Sequence, residues 1–133
     1  MEKKTITTSL APAPIGPYNQ AIASGSMLFI SGQICINPAT GELVNADIKE
    51  ETHQVMKNLR AILHEAGMNF MNVVKTTIFL TDMNRFAEVN EVYAQHLDQD
   101  MNGDRNGYPA RETVQVSALP KFVNVEISMI AVK

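Results

Sequence analysis

Apolar and polar positions alternate most regularly between Pro109 and Lys133. β-branched residues alternate with polar ones on both sides of Leu119-Pro120-Lys121, and a proline cannot continue a hydrogen-bonded ladder, so the run predicts two strands joined at that point. On the first strand Val114 and Val116 face one way and Arg111, Thr113, Gln115 and Ser117 the other. On the second, Val125, Ile127, Met129 and Ala131 form one face, and Asn124, Glu126, Ser128, Ile130 and Val132 the other. Arg111 and Glu126 thus share the parity of the more polar faces. Both residue types are rarely buried unless paired with each other or with a ligand, so this face is either a structural ion-pair seam or a small anion site. If Pro120 and Lys121 form a tight hairpin, Gln115 lies opposite Glu126 and Arg111 sits ~13 Å further along. A small ligand then reaches both only through a looser connection or a neighbouring subunit.

The rest of the chain reads in the same way. Lys4 to Ser9 is a threonine-rich strand around Ile6. Pro12, Pro14 and Pro17 stiffen the loop that carries Tyr18, which is either a packing residue or a hydroxyl offered to a ligand. Ala21–Ser24 and Met27–Ile34 are strands around a Gly25-Ser26 turn, and Gly32 marks a bulge or a close approach to the backbone. Asn37 to Gly41 is a turn. Asp47 to Ala66 predicts a helix with apolar Ile48, Val55, Leu59, Ile62, Leu63 and Ala66, a polar face carrying Lys49, Glu51, Lys57 and Glu65, an Asp47/Glu50 capping pattern and a Gly67 stop. Asn72 to Thr81 reads as a strand. A second helix beginning near Asp82 or Asn84 carries Phe86, Val89, Tyr93 and Leu97 on one stripe. The order β-β-β-α-β-α-β-β predicts an α+β sandwich, a mixed sheet of about six strands with both helices on one face. The last strands have apolar residues on both faces, so the uncovered face is expected to be buried by oligomerisation.

Composition narrows the class. The 133 residues make one domain, and 45% apolar with 19% charged residues is the balance of a globular protein rather than a disordered one. One cysteine, Cys35, cannot form an internal disulfide, which fits a reducing, cytoplasmic setting. No stretch has the length of a signal-peptide core or a membrane span. A net charge of −3 with scattered lysines and arginines lacks the basic patch of a nucleic-acid binder.

Several stretches imitate chemistry. Asp98 to Asp104 resembles the start of a calcium loop, but Pro109 stands where the closing glutamate belongs, which favours a solvated loop. His53, His64 and His96 have no metal-ligand spacing and read as surface or boundary residues of helices. No nucleophile elbow, phosphate loop or dinucleotide fingerprint occurs, and Cys35 has no local histidine or basic cluster. The Arg111 and Glu126 face remains the best chemical candidate.

Taken together, the runs Ala13-Pro14-Ile15-Gly16-Pro17-Tyr18-Asn19-Gln20-Ala21, Ser31-Gly32-Gln33-Ile34, Asn37-Pro38 to Gly41, Phe86-Ala87-Glu88-Val89-Asn90, Pro109-Ala110-Arg111 and Val125-Glu126-Ile127 resemble the Rid family of YjgF-like proteins, in particular its 2-iminobutanoate/2-iminopropanoate deaminases. The resemblance runs end to end as a single domain. It implies a chorismate-mutase-like fold assembled as a homotrimer, with a central β-barrel, outer helices and clefts between subunits. It also implies hydrolysis of reactive enamines and imines to 2-oxo acids and ammonia. By the same resemblance Arg111 is the carboxylate-binding arginine, Glu126 the water-activating glutamate and Tyr18 the cleft tyrosine, with Gly32 and Asn90 at pocket positions. Thr113 stands where a cysteine is frequent, so a hydroxyl replaces any thiol role. Ser128 replaces a frequent glutamate, and the segment from Asp98 to Tyr108 is longer than in similar members, which bears on the cleft rim.

Charge alone states how such a site works. Arg111 binds the carboxylate of a 2-imino acid through two parallel N–H bonds, and ionised Glu126 takes a proton from the water that attacks the imine carbon. The imine is already reactive, so neither a metal nor an organic cofactor is called for. Two other classes stay open: a non-catalytic module that senses 2-oxo acids in the same cleft, and the ribonuclease or translation-inhibitor activity attributed to relatives, against which the acidic balance counts.

Overall fold

The computed structural model describes residues 2–133. Six strands and two helices follow in the expected order: β1 (Lys3–Ile6), β2 (Ala21–Ser24), β3 (Met27–Gln33), α1 (Ile48–Glu65), β4 (Val73–Leu80), α2 (Phe86–Met101), β5 (Ala110–Gln115) and β6 (Val125–Val132). They form one sheet in the order β1-β2-β3-β6-β4-β5, antiparallel everywhere except between β4 and β5. The mixed sheet with both helices on one face is therefore as the hydrophobic pattern predicts.

Local signals set the element ends. Ser24 pairs with Met27 across the two-residue turn, where Gly25 adopts φ 59°. Asp47 caps α1 by accepting from the Glu50 N–H at 2.8 Å, and Gly67 at φ 73° follows its end. Before α2, Asp82 caps a short turn at Met83–Arg85. Along β6 the residues Val125, Ile127, Met129 and Ala131 are buried beneath the helices, while the alternate residues are only partly covered. α1 packs over β3 and β6, and Tyr93 of α2 donates to Thr76 of β4 at 3.0 Å.

The last two strands depart from the expectation. They do not pair: β4 lies between them, and β5 runs parallel to it after the α2 crossover. The connection at Leu119–Val123 is a short irregular turn rather than a hairpin, with Lys121 and Phe122 in the left-handed region at φ 56° and 55°. Consequently Arg111 stands level with Thr76 and Met129 on the helix-covered face, whereas Glu126 stands level with Phe79 on the other. Shared parity within each strand did not mean a shared face.

Two polar residues of the helices also sit elsewhere than predicted. Glu51 is fully buried, not on the polar face: its carboxylate accepts from the backbone N–H groups of Asn124 and Val125 at 2.7 and 3.0 Å and from Asn124 Nδ2 at 2.8 Å. It falls on the same stripe as Val55, Leu59 and Ile62, and anchors the start of β6 to α1. His96 is buried in the seam between the helices, with its Nε2 2.9 Å from His53 Nδ1, and burial and the neighbouring cations lower its pKa to about 4.

The calcium-like run has other duties. Asp100 pairs with Arg60 at 3.2 Å and accepts the Phe70 N–H at 2.9 Å, Asp98 accepts the Tyr108 hydroxyl, and Asp104 caps the short turn Arg105–Gly107.

Candidate active site

The residues singled out from the sequence fall into two groups. The first surrounds Glu126 on the helix-free face of the sheet. Between Ile30 opposite Met129 and Gln33 opposite Ile127, β3 carries one residue more than β6, a bulge that contains Gly32. A Cβ placed on Gly32 would lie 2.7 Å from Glu126 Cδ and 2.8 Å from Oε2. The glycine is needed because the carboxylate occupies the space of a side chain. Half-buried there, with no cation against it, Glu126 has its pKa raised by desolvation alone.

Tyr18 lines the same cleft, together with Ile15 and Pro120. Its phenolic oxygen accepts the Ile15 N–H at 3.2 Å, which leaves its own proton to donate. The proline-rich loop beneath it is tied down by Gln20, a buried side chain whose amide donates to the carbonyls of Thr8, Ala11 and Pro12 and accepts from the Thr8 N–H. Nothing in the local sequence pattern distinguished Gln20 from a turn residue.

The second group surrounds Arg111 on the opposite face, at the outer strand. Its guanidinium donates to Asn90 Oδ1 at 2.8 Å and lies 5.5 and 5.1 Å from the ring centroids of Phe86 and Tyr93, so α2 aims it from three directions. Thr113, two residues on, shares a hollow with Arg111 and Phe86, and its hydroxyl is buried without a hydrogen-bond partner. An unsatisfied buried hydroxyl beside a guanidinium is a vacant contact for a polar ligand.

The structure thus brings Tyr18, Gly32 and Glu126 together, and Asn90, Arg111 and Thr113 together, but keeps the groups apart. Three residues of β4 separate the level of Arg111 from that of Glu126, about 10 Å along the strand, and their strands are two sheet positions apart, on opposite faces. No small ligand touches both within one chain. Within one chain the same geometry excludes an ion-pair seam between them. Cys35 belongs to neither group, and burial pushes its thiol up to about 11, leaving it inert as a nucleophile.

Among the described residues no helix is long and apolar enough to cross a membrane. The helix-free face carries two apolar groups, Met27 and Phe29 (38 and 43% exposed) beside Val132 and Ile130, and Val114 (43% exposed) beside Phe79. The polar row Ser128, Thr77 and Glu112 and the Lys75–Glu112 ion pair lie between them.

Residues 8–133 match the family model described as Endoribonuclease L-PSP. A RutC family protein of Pyrococcus horikoshii is 51% identical over 131 residues, spanning 98% of both chains. The 2-iminobutanoate/2-iminopropanoate deaminase of Homo sapiens is 43% identical over 131 residues, which is 98% of this chain and 90% of the human one. The crystal structure of Escherichia coli TdcF with bound serine superposes with a TM-score of 0.89 at 44% identity, over 98% of each chain.

Proposed function

Since the chain belongs to the Rid family of YjgF-like proteins, we propose that it hydrolyses 2-imino acids, and the enamines in equilibrium with them, to 2-oxo acids and ammonia in a cleft shared between two copies of the chain. The observation that carries this reading is the division of the site: a glycine-seated carboxylate on one face of the sheet, and on the other a guanidinium held by Asn90, Phe86 and Tyr93. Each half is built, and each lacks what the other has. A homotrimer in which the helix-free faces meet supplies the missing half at every interface, and the exposed Met27, Phe29 and Val114 support that assembly.

The chemistry follows from the two charges. Arg111 takes the substrate carboxylate through paired N–H bonds and orients the adjacent C=N carbon, and the Thr113 hydroxyl adds a neutral contact. Glu126 accepts a proton from a water as that water bonds to the imine carbon, and the C=N pair of electrons moves to nitrogen. Starting from the protonated imine this gives a neutral amino alcohol. Glu126 then returns its proton to nitrogen, and the C–N bond breaks with its electron pair leaving on ammonia. The hydroxyl proton passes to Glu126 as the C–O bond becomes the carbonyl of the 2-oxo acid, ammonia finally carrying that proton away as ammonium. Tyr18 donates to the substrate from the stiff loop, and Gly32 keeps room for the carboxylate. The protein is expected to act on free small molecules in the cytoplasm.

Ammonia release from freshly generated 2-iminobutanoate, followed with and without the protein, tests the reading. Acceleration over buffer that disappears in Glu126→Gln supports it. Hydrolysis at the buffer rate, with a 2-oxo acid nevertheless bound at Arg111, makes the chain a sensing module instead.

A further inference from the structure

Arg111 does not stand alone in its cleft. On the side toward the end of α2 lies a hollow of about 420 Å³ whose lining includes Asn90, Tyr93, Tyr108, Arg111 and a second arginine, Arg105. Arg105 opens the short turn Arg105–Gly107, which holds itself in place: Asp104 Oδ1 accepts from the Asn106 N–H at 3.0 Å, the Gly107 N–H donates to the Asp104 carbonyl at 3.0 Å, and the Tyr108 N–H donates to the Arg105 carbonyl at 3.3 Å. Arg105 also borders an adjoining hollow that holds two carboxylates, Asp98 and Asp104, and both are engaged elsewhere, Asp98 by the Tyr108 hydroxyl and Asp104 by the turn. No carboxylate lines the hollow that Arg111 and Arg105 share. Among the described residues the Arg105 guanidinium forms no ion pair and no hydrogen bond.

We propose that this hollow is a two-guanidinium site, and that it selects 2-imino acids bearing a second carboxylate. The inference rests on the imine-hydrolase reading and narrows it. Two guanidinium groups facing one hollow repel each other until a dianion lies between them, whereas a monocarboxylate satisfies Arg111 and leaves Arg105 unpaired. Arg111 takes the carboxylate next to the reacting carbon. Arg105 takes the distal one at the rim, with the Tyr93 and Tyr108 rings walling the carbon chain between them. Arg105 is a specificity residue and never touches the reacting atoms.

The test compares 2-iminoglutarate with 2-iminobutanoate, each generated in place, in the wild-type protein and in Arg105→Gln and Arg105→Lys. Binding of the inert products 2-oxoglutarate and 2-oxobutanoate is measured alongside by calorimetry. Expected is a wild-type preference for the dicarboxylate in kcat/KM, a fall in the dicarboxylate-to-monocarboxylate ratio on the order of tenfold or more in Arg105→Gln, and partial recovery in Arg105→Lys. A ratio unmoved by Arg105→Gln overturns the inference while leaving imine hydrolysis standing. If neither imine is hydrolysed, the imine reading fails and the binding data decide the site. Tighter 2-oxoglutarate than 2-oxobutanoate, lost in Arg105→Gln, supports the two-guanidinium site, and equal affinities reject it.

Discussion

The guanidinium of Arg111 and the carboxylate of Glu126 belong to opposite faces of one sheet, with β4 between the strands that carry them. A catalytic site that uses both must draw them from different chains, and mixed assemblies test this. Arg111→Ala and Glu126→Ala proteins are each expected to be inactive alone. Unfolded together and refolded at equal ratio, they regain roughly a quarter of wild-type activity, the share of interfaces that pair an intact arginine from one copy with an intact glutamate from the next. No recovery in mixtures shown by mass to contain both chains would mean that the site does not span an interface.

Binding and chemistry separate at the same two residues. Arg111→Lys keeps a charge but loses the paired geometry, so kcat/KM falls roughly 10- to 150-fold. Glu126→Gln keeps the shape and removes the base, and kcat falls roughly 10²- to 10⁴-fold with affinity for an inert 2-oxo acid nearly unchanged. Desolvation raises the Glu126 pKa above its ordinary 4.5, and the proposed base is its ionised form. The acid limb of the kcat/KM profile is therefore expected to bend above 4.5, and the limb should vanish in whatever activity Glu126→Gln retains. A limb at or below the ordinary value would remove Glu126 from the role of base.

Gly32→Ala isolates the seat of that carboxylate. The added methyl would fall 2.7 Å from Glu126 Cδ and 2.8 Å from Oε2, so the carboxylate must leave its observed position. Activity is expected to drop by on the order of tenfold or more, because a displacement of about an ångström at a reacting group is costly, while the melting temperature changes little. Full activity in Gly32→Ala would show that the observed Glu126 position is not the working one.

How far the fold was legible depends on the range of each signal. Both helices, the Gly25-Ser26 turn and the Gly32 bulge were readable because periodicity and punctuation act locally. The order of strands was not. Alternation fixes which residues of β5 and of β6 go together, but not whether Arg111 or Val114 meets the helices, since that is decided by β5 crossing over through α2 to pair with β4. The candidate site residues were picked out mainly through the resemblance, which gave no sign of their separation onto two faces. Glu51 was within reach, since residues 51, 55, 59 and 62 follow the spacing of one helical stripe, but a glutamate in that register reads as solvated until its backbone partners at Asn124 and Val125 are seen.

Glu51→Ala measures that anchor. The substitution leaves two backbone N–H groups and the Asn124 amide without their carboxylate at the start of the strand that carries Glu126. Buried donors without partners cost about 1 to 3 kcal/mol each, so a loss of roughly 2 to 5 kcal/mol in unfolding free energy is expected, with some water entering to offset the rest. Denaturant titration reads it directly. A change within 0.5 kcal/mol, of the order seen for an ordinary surface substitution, would mean that the anchor is dispensable.

His96 ties stability to acidity. It is buried between the helices, its Nε2 against His53, with Arg60 and Lys57 adding positive potential, and Asp100 is turned to Arg60 rather than to the ring. All of these disfavour the imidazolium, so the folded chain binds a proton at His96 only near pH 4, whereas the unfolded chain binds it near the ordinary 6.5. Between those values the unfolded state holds more protons, and stability rises with pH. The contribution is fully present above 6.5 and is lost progressively as the pH falls toward 4. In His96→Gln, which keeps a polar partner for His53 but cannot titrate, the melting temperature should start lower at neutral pH and fall less steeply across that window. If the two proteins decline in parallel from 6.5 to 4, the proton taken up on acid unfolding goes elsewhere, and the His53–His96 contact is a hydrogen bond without a titration of its own.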